Sequence, residues 1–494
     1  MEEIIKAVPT EDYTIVLTDY SPVASASIYK NGVLLQSSEI DPEAICAACQ
    51  KKINEKGEQT SAIISIDGED LNTRPQLFET YNSRLWTKRY AGVLRFDDTD
   101  GNRYKIQINS RFDHGEKQYF LNHIFCKAFN ASGKIFVNMD LLGSPDRCWD
   151  LPLILRYFQL LQQAFKNGLY KEYVTFHCND SKVNGTINVP RHIRENILFS
   201  GKIAYSRREN TANNDINRLI IMTYRYIQKL YPQLSSALFK TELRHQFQRL
   251  ELLAGQQSMP SIPVILDRTA RPVTRHLYVD YEALRKVCRL ILQKMGANMM
   301  ETRSAKVTGV VIDMSKLWER YLSESFLRDL SFTAQAEFGI IGLAGEKTGK
   351  VLWKRTAQPD FIRLNGEDPL SPVLDAKYKI HWGEGVGSKN LREDVFQIMA
   401  YMLSLNCKKG GAIFPLASRA GSSDPVPPKE YQVSAYCDHR FYWIPITIPS
   451  YDDTVTADQF DRLLNRHLDY IKAYIEKKLI SVQTIEQETA SPSI

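Results

Sequence analysis

The apolar residues of this 494-residue chain change their spacing twice, and the fold must therefore combine strand-rich and helix-rich parts. Up to about residue 145, segments such as TIVLTDY, SAIISID and RYKIQINSRF alternate or run apolar with β-branched residues, as strands do. From residue 150, Leu151, Leu155 and Phe158 recur at helical spacing, and helical patterns continue to about residue 295. Beyond about residue 305, helix and strand patterns alternate. The sequence therefore predicts a multidomain α/β protein.

The same changes predict where the domains end. At roughly 150 residues per domain, a chain of this length is expected to contain about three. The predicted parts are a β-rich, partner-binding domain at 1–149, a mainly helical linker domain with a basic hairpin at 150–304, an α/β domain at 305–485 and a tail at 486–494. The last helix opens with the capping pair Thr456 and Gln459 and is expected to pack on the third domain.

Composition excludes several classes of protein. With 43% hydrophobic and 24% charged residues, the chain is neither disordered nor fibrous. No apolar run reaches the ~18 residues that a membrane span needs, and the first residues lack a basic segment followed by an apolar one. Eight cysteines are too few for a disulfide scaffold, and Cys46 and Cys49 are expected to pack on a helix face rather than to bind zinc. We therefore expect a cytoplasmic protein without a membrane partner.

A basic segment at residues 182–208 is the densest cluster of positive charge. It holds six Lys or Arg and one acidic residue, interleaved with Phe199 and Tyr205. Contact with a phosphate backbone is one interpretation, and on composition alone a solvated basic loop or hairpin is at least as strongly favoured. A glycine-rich loop, HWGEGVGSKN, supplies two further cations near its end. The candidate phosphate-contacting residues are Arg191, Arg194, Arg207, Arg208, Lys389 and Arg392.

The most specific pattern in the chain lies at residues 358–379, QPDFIRLNGEDPLSPVLDAKYK. Two apolar runs flank NGEDP, which predicts a hairpin. If the turn is centred between residues 367 and 368, each residue of the first strand faces the residue of the second strand for which the two residue numbers add up to 735. Asp360 then lies opposite Asp375, and the period of two places Lys377 on the same face as Asp375.

Two facing carboxylates repel each other unless a cation neutralises them. Ligation by oxygen alone suits Mg²⁺, with Mn²⁺ as an alternative. A neighbouring lysine can hold the attacking water and stabilise charge on a phosphate, so the pattern predicts metal-assisted phosphodiester hydrolysis. On geometry alone, a surface hairpin with a cross-strand Asp–Lys ion pair is an equally favoured interpretation.

Sequence order favours the first interpretation. The PD at 359–360 followed by the DAK at 375–377 resembles the signature of PD-(D/E)xK nucleases, and Glu319 lies on the preceding predicted helix, as a first acidic residue does in that superfamily. Gln397 and Tyr401, four residues apart on a later helix, resemble the Q-x-x-x-Y element of the RecB-like branch. Each of these three residues alone would be read as an ordinary helix residue.

This resemblance implies a C-terminal restriction-endonuclease-like α/β domain and a role for each residue. The expected metal ligands are Asp360, Asp375 and Glu319. Lys377 would orient or activate water, while Gln397 and Tyr401 would position the DNA backbone or the lysine.

The middle of the chain carries an independent resemblance, to the McrC family of 5-methylcytosine-dependent restriction systems. Its elements are the Gly-Thr-Ile turn at 185–187, the basic strand after it and the Asn-Arg pair at 217–218, and the resemblance covers about 150–405. It implies a Mg²⁺-dependent endonuclease that cuts double-stranded DNA when assembled with a McrB-type GTP-hydrolysing AAA+ ring. The sequence agrees with a separate GTP-hydrolysing partner, because it contains no complete nucleotide-binding loop. The segment most similar to one, LAGEKTGKV, has Ala344 in place of the first glycine and Val351 in place of the Ser or Thr.

Two other functions stay open at this point. One is a stand-alone RecB-like repair or processing nuclease, which would cleave without a GTPase. The other is a non-catalytic adaptor whose nuclease fold only binds DNA and regulates a motor. Because Asp360, Asp375 and Lys377 are all present, the adaptor is the less favoured of the two.

Overall fold

A computed structural model describes the chain apart from a set of excluded segments. These are residues 1–11, 36–39, 56–61, 66–74, 99–101, 114–116, 129–149, 199, 240, 256–258, 297–306, 335–339, 345–350, 357, 364–371, 386–388, 419–423, 435–436, 453 and 481–494. The chain divides into two units, a split unit formed by Met1–Trp149 with Ser304–Ile494, and a middle unit formed by Asp150–Arg303.

The described strands and helices are numbered in chain order. The strands are β1 (Asp12–Thr18), β2 (Ser27–Lys30), β3 (Val33–Leu34), β4 (Ala62–Ser65), β5 (Phe78–Tyr81), β6 (Arg84–Thr87), β7 (Tyr90–Asp97), β8 (Arg103–Asn109), β9 (Glu172–Asp180), β10 (Thr186–Ile187), β11 (Ile203–Thr211), β12 (Thr308–Asp313), β13 (Thr333–Ala334), β14 (Ile340–Ala344), β15 (Val351–Thr356), β16 (Phe361–Ile362), β17 (Val373–Ala376), β18 (Lys409–Ala417), β19 (Lys429–Ser434) and β20 (Cys437–Ile448). The helices are α1 (Pro42–Asn54), α2 (Tyr119–Ala128), α3 (Asp150–Lys166), α4 (Val189–Glu195), α5 (Asp215–Leu230), α6 (Pro232–Leu238), α7 (Thr241–Ala254), α8 (Ile262–Arg268), α9 (Val279–Gly296), α10 (Met314–Tyr321), α11 (Arg392–Ser404) and α12 (Ala457–Ile475). The mixed α/β class predicted from the sequence is confirmed.

The first sheet of the split unit runs in the order β3-β2-β1-β8-β7-β12-β4. Strand β12 pairs antiparallel with β7 and parallel with β4, so a strand from beyond residue 300 lies inside the N-terminal sheet. A Cβ atom at Gly92 or Gly309 would lie 2.2 or 2.3 Å from a backbone oxygen of the facing strand, which explains why both positions are glycine.

The grouping of the chain differs from the three predicted domains. The domain boundary predicted at 149/150 coincides with the first boundary between the two units. The domain boundary predicted at 304/305 lies one residue after the second unit boundary, which is at 303/304. The segments 1–149 and 305–485, predicted as separate domains, belong to one unit. The reason is β12, whose hydrogen bonds join the two segments in a single sheet.

The core of this first sheet includes both cysteines of helix α1. Cys46 and Cys49 are fully buried against Ile15, Leu94 and Ile106, as expected for helix-face packing. Burial raises the pKa of the Cys49 thiol to about 12, so it stays protonated near neutral pH.

A buried carboxylate, Asp113, holds the start of α2. It accepts hydrogen bonds from the backbone N–H groups of Phe120 at 2.8 Å and Leu121 at 3.1 Å, and from the Tyr451 hydroxyl at 2.9 Å. Burial raises the pKa of Asp113 to about 7, although these three hydrogen bonds lower it in part.

The middle unit combines helices α3 to α9 with the small sheet β10-β11-β9. The predicted basic hairpin is an antiparallel pair of β9 and β11, with Ile203 facing Asp180. The connection between them is itself ordered into β10 and α4, and Asn188 caps α4 by accepting from the backbone N–H of Arg191. The basic segment is therefore folded into a strand pair and a short helix.

The second sheet of the split unit runs in the order β13-β16-β17-β18-β20-β19. Strands β17, β18 and β20 run parallel to one another, while β16 pairs antiparallel with β17 and β19 pairs antiparallel with β20. Helix α12 has the predicted Thr456–Gln459 capping box and packs near β20, where His467 Nδ1 lies 2.8 Å from the Thr447 carbonyl oxygen. Among the described helices, none is both long enough and apolar enough to cross a membrane.

Candidate active site

Two aspartates face each other at the ends of β16 and β17. Phe361 pairs with Leu374 and Ile362 with Val373, so the register predicted by the sum of 735 is confirmed, while the turn itself lies outside the described residues. By extension of this register, Asp360 lies opposite Asp375. The backbone N–H of Ala376 donates a hydrogen bond to Asp360 Oδ2 at 2.7 Å, which fixes the first carboxylate against the second strand.

Helix α10 carries Glu319 toward this pair. The helix begins after Asp313, whose side chain accepts from the backbone N–H of Ser315, and the indole of Trp318 donates to the Ile413 carbonyl of β18 at 3.4 Å. The helix is therefore anchored on the strand next to β17.

The charges of two further carboxylates, Asp375 and Glu319, act on Asp360. Burial, then the charge of Asp375, then that of Glu319 raise the pKa of Asp360 to about 8, against smaller lowering effects of the Ala376 N–H and Lys377. A carboxyl group in this position resists ionisation unless a cation joins it. Glu319 is thus close enough to act on Asp360 electrostatically.

Lys377 follows β17 and continues its pairing, with its backbone N–H donating to the Ile413 carbonyl at 3.0 Å. Its ammonium lies 2.5 Å from Asp375 Oδ2 and donates to Gln397 Oε1 at 3.0 Å. This ion pair covers Oδ2 of the buried Asp375 carboxylate. Burial lowers the pKa of Lys377, but neighbouring carboxylates, Asp375 first, raise it overall.

The two α11 residues predicted to position the lysine extend this chain of contacts. The Gln397 side-chain amide donates to the Tyr401 hydroxyl at 2.9 Å, so Lys377, Gln397 and Tyr401 form a continuous line. Burial, and then the charge of Asp375, raise the pKa of Tyr401. The structure therefore joins Asp375, Lys377, Gln397 and Tyr401 in one line of contacts. Asp360 is bonded to the adjacent Ala376 N–H, and Glu319 acts on Asp360 through its charge.

Sequence reasoning missed a further carboxylate, Asp394, in the first turn of α11. It is 6% exposed, and it accepts from Lys379 Nζ at 2.8 Å and from the Trp382 indole at 3.3 Å. Helical spacing could have identified Asp394, because residues 394, 397 and 401 are three and four positions apart and therefore share one face of the helix.

A second missed residue, Arg111, holds the chain just after Lys377. Its guanidinium donates to the Tyr378 carbonyl at 2.8 Å and to Asp19 Oδ2 at 3.0 Å, and it lies 4.3 Å from the centre of the Tyr378 ring. Asp19 is fully buried, and burial raises its pKa although Arg111 lowers it in part. Nothing local in the sequence indicates these contacts, since 267 residues separate Arg111 from Tyr378.

The basic residues predicted to contact DNA divide into two groups. In the middle unit, Arg191 donates to the Cys178 carbonyl and pairs with Glu195, and Arg207 pairs with Glu209 at 3.3 Å. The remaining four are exposed, namely Arg194 and Arg208 in the middle unit and Lys389 and Arg392 in the split unit. Among the predicted contacts, these four are the most available to a partner.

No group of three His, Cys, Asp or Glu side chains, within the part of the chain that the structure describes, is arranged to hold a metal ion. The facing carboxylates of Asp360 and Asp375 nevertheless suit a divalent cation. Burial and then neighbouring negative charge raise the pKa of the first, and the second is buried with a cationic group, the Lys377 ammonium, against its Oδ2. Both donors are oxygen, the ligand that Mg²⁺ prefers.

Comparisons with known proteins place this site within a matched region. The family model described as McrBC 5-methylcytosine restriction system component matches residues 85–415. Among solved structures, the chain is similar to a Thermococcus gammatolerans half-complex from a tetradecameric assembly of McrB AAA+ hexamers with bound McrC, at 16% identity and a TM-score of 0.45, covering 93% of this chain and 100% of that one. It is also similar to a cryo-EM structure of the Thermococcus gammatolerans McrBC complex, at 17% identity and a TM-score of 0.31, covering 66% of this chain and 89% of that one. No curated protein matches the chain.

Proposed function

This chain belongs to the McrBC family of 5-methylcytosine restriction system components, and from that membership we propose that it is the McrC-type nuclease subunit of such a system. In this role it hydrolyses phosphodiester bonds of double-stranded DNA with Mg²⁺, or with Mn²⁺ in its place. It does so when assembled with a GTP-hydrolysing AAA+ ring of the McrB type.

The observation that carries the nuclease assignment is the convergence of Asp360, Asp375 and Lys377. The two carboxylates face each other across paired strands, and the ammonium lies 2.5 Å from one of them in a largely buried setting. A surface hairpin with a simple ion pair would leave these groups exposed, whereas the Asp375 side chain is only 4% exposed. Burial of this charged group supports a catalytic role over a surface ion pair.

In the proposed mechanism, Asp360 and Asp375 hold the metal, and Glu319 contributes charge from α10. Bound there, Mg²⁺ would neutralise the carboxylates and stabilise negative charge on the scissile phosphate. Lys377 holds the attacking water and stabilises the charge that develops on the phosphate. Gln397, itself fixed by Tyr401, restrains the lysine side chain.

The ring partner is supported by family membership and by the resemblance of the middle segment. The chain's nearest approach to a nucleotide-binding loop departs from the motif at Ala344 and Val351, so GTP hydrolysis would come from the partner. The exposed Arg194 and Arg208 of the middle unit, with Lys389 and Arg392 of the split unit, are the candidate DNA contacts.

Substitution Asp375→Ala tests the assignment, with the isosteric Asp375→Asn beside it. We expect either variant to lose at least about a hundredfold in cleavage rate, with thermal unfolding and ring binding retained. Asp438→Ala is the matched control, because it removes an 87% exposed carboxylate from the same unit. Unimpaired cutting by both Asp375 variants would refute the nuclease site.

The partner requirement is tested separately with the purified wild-type chain. We expect Mg²⁺ alone to give little cleavage and addition of a McrB-type GTPase ring with GTP to raise it. Full cleavage by the chain alone would favour a stand-alone RecB-like nuclease. Absence of cleavage under every condition, with DNA binding retained, would favour the adaptor.

A further inference from the structure

Asp394 is the buried carboxylate at the site that belongs to no recognised motif. Two donors hold its oxygens in place, the Lys379 ammonium at 2.8 Å from Oδ1 and the Trp382 indole at 3.3 Å from Oδ2. Trp382 is itself fully buried, and its carbonyl accepts from the Trp443 indole at 3.1 Å. Asp394 is therefore a fixed negative charge rather than a mobile surface group.

Lys377 lies between this fixed charge and Asp375. Its ammonium is 2.5 Å from Asp375 Oδ2 and 3.6 Å from Asp394 Oδ1, while Gln397 Oε1 lies 3.0 Å away. The Asp375 oxygen is thus in direct contact with the ammonium, and the Asp394 oxygen lies about 0.4 Å beyond hydrogen-bond distance. A small movement of the lysine side chain is enough to exchange its partner.

The proposed function makes this exchange necessary. Asp375 is one of the two carboxylates that would hold a divalent cation, and in the structure its Oδ2 is covered by the ammonium. A dication and an ammonium at one oxygen repel each other strongly in a buried site. The lysine must therefore leave Asp375 when the cation binds, and a buried ammonium needs another anion.

We propose that Asp394 is a positioning residue that receives the Lys377 ammonium when a divalent cation occupies Asp360 and Asp375. This inference rests on the proposed function and assigns it a residue outside the sequence motifs. Asp394 holds the lysine close to the reacting phosphate and off the metal-binding oxygen. Gln397 contacts the ammonium from the same helix and guides the movement.

The proposal predicts that the affinity of the site for a divalent cation depends on Asp394. Without the second carboxylate, the ammonium stays on Asp375 and competes with the cation. Loss of one charge-assisted hydrogen bond from the metal-bound state is expected to weaken cation binding by about tenfold. Cleavage should then fall in kcat, with KM for DNA little changed, because the lysine is misplaced after DNA has bound.

The experiment is a titration of the full-length chain with Mn²⁺ alone, in which calorimetry measures the dissociation constant. Asp394→Asn is the test variant, since asparagine keeps the shape and an acceptor for the Trp382 indole. Glu393→Gln is the matched control, because it removes the same charge from the adjacent, exposed position of the same helix. We expect about a tenfold weaker Kd for Asp394→Asn and an unchanged Kd for Glu393→Gln.

A second background separates the proposed exchange from a general loss of negative charge. In Lys377→Met there is no ammonium to redirect, so adding Asp394→Asn should leave Mn²⁺ affinity unchanged. An equal loss in both backgrounds, or no loss in either, would overturn the exchange while leaving the metal site intact. Two results would refute the proposed metal site together with this inference. One is that the wild type binds no Mn²⁺, and the other is that the Asp375→Ala variant binds Mn²⁺ as tightly as the wild type.

Discussion

The contact of Arg111 with Asp19 and Tyr378 allows a quantitative prediction. Substitution Arg111→Met keeps the length of the side chain but removes its bonds to Asp19 Oδ2 and to the Tyr378 carbonyl, at 3.0 and 2.8 Å. It leaves a fully buried aspartate without its cation. Breaking a buried ion pair in this way costs about 3 to 5 kcal/mol, so we expect the split unit to lose that much free energy of unfolding.

A double variant isolates the unpaired charge as the cause. Asp19→Asn with Arg111→Met removes both charges of the ion pair. The bond to the Tyr378 carbonyl and the contacts with the rings of Tyr20, Phe112 and Tyr378 remain lost. We therefore expect the double variant to be more stable than Arg111→Met alone, by roughly 1 to 3 kcal/mol. The deficit of the single variant should also shrink at low pH, because a protonated Asp19 needs no cation.

Tryptophan fluorescence during urea unfolding measures this in the intact chain. All six tryptophans lie in the split unit, so the signal reports that unit and not the middle one. Asp438→Asn, at an exposed site of the same unit, should leave the midpoint unchanged. A single variant that loses less than about 1 kcal/mol, or a double variant less stable than the single one, would show that the charge is not buried as described.

Three further predictions concern other parts of the molecule. The pKa of Asp113 in the folded protein is about 7, above its ordinary value of 3.8, so between about pH 4 and pH 7 the folded protein holds a proton that the unfolded chain lacks. The contribution of Asp113 to stability therefore falls as pH rises through that range. Asp113→Asn should flatten that part of the pH profile in urea unfolding, and an unchanged slope would contradict the assignment. Tyr401→Phe, which removes the last hydroxyl of the contact line, should lower kcat by up to about tenfold at constant KM, and a change in KM alone would argue for a substrate contact instead. Arg194→Gln with Arg208→Gln should reduce the salt dependence of DNA binding by about one to two units of slope, whereas Arg191→Gln should change it little, because Arg191 already bonds within its own unit.

The local part of the site could be predicted from the sequence because it depends on short-range geometry. A hairpin fixes its register through the turn, and the pairing of Phe361 with Leu374 follows directly from it. The helix face shared by Gln397 and Tyr401 likewise follows from helical spacing. The family resemblance is also confirmed, and it rests on motifs that keep their order along the chain.

The remainder of the site depends on contacts between distant segments, for which the sequence carries no spacing signal. Arg111 reads as one basic residue after a strand, and only the sheet brings it to Tyr378. Strand β12 likewise reads as the start of a third domain, because a strand pattern does not identify its partner strand. Asp394 resembles any acidic residue in a first helical turn, where a carboxylate is favourable without a catalytic reason.

The position of β12 also affects how the protein is made. About 200 residues separate the end of β8 from the end of β12, and at roughly 5 to 20 residues per second the ribosome needs about 10 to 40 s to supply them. During that time β7 has an open edge, which can pair with strands of other chains. A fragment ending at residue 149 keeps this edge open permanently and is expected to aggregate, so a shortened form of the split unit needs β12 as well as residues 1–149.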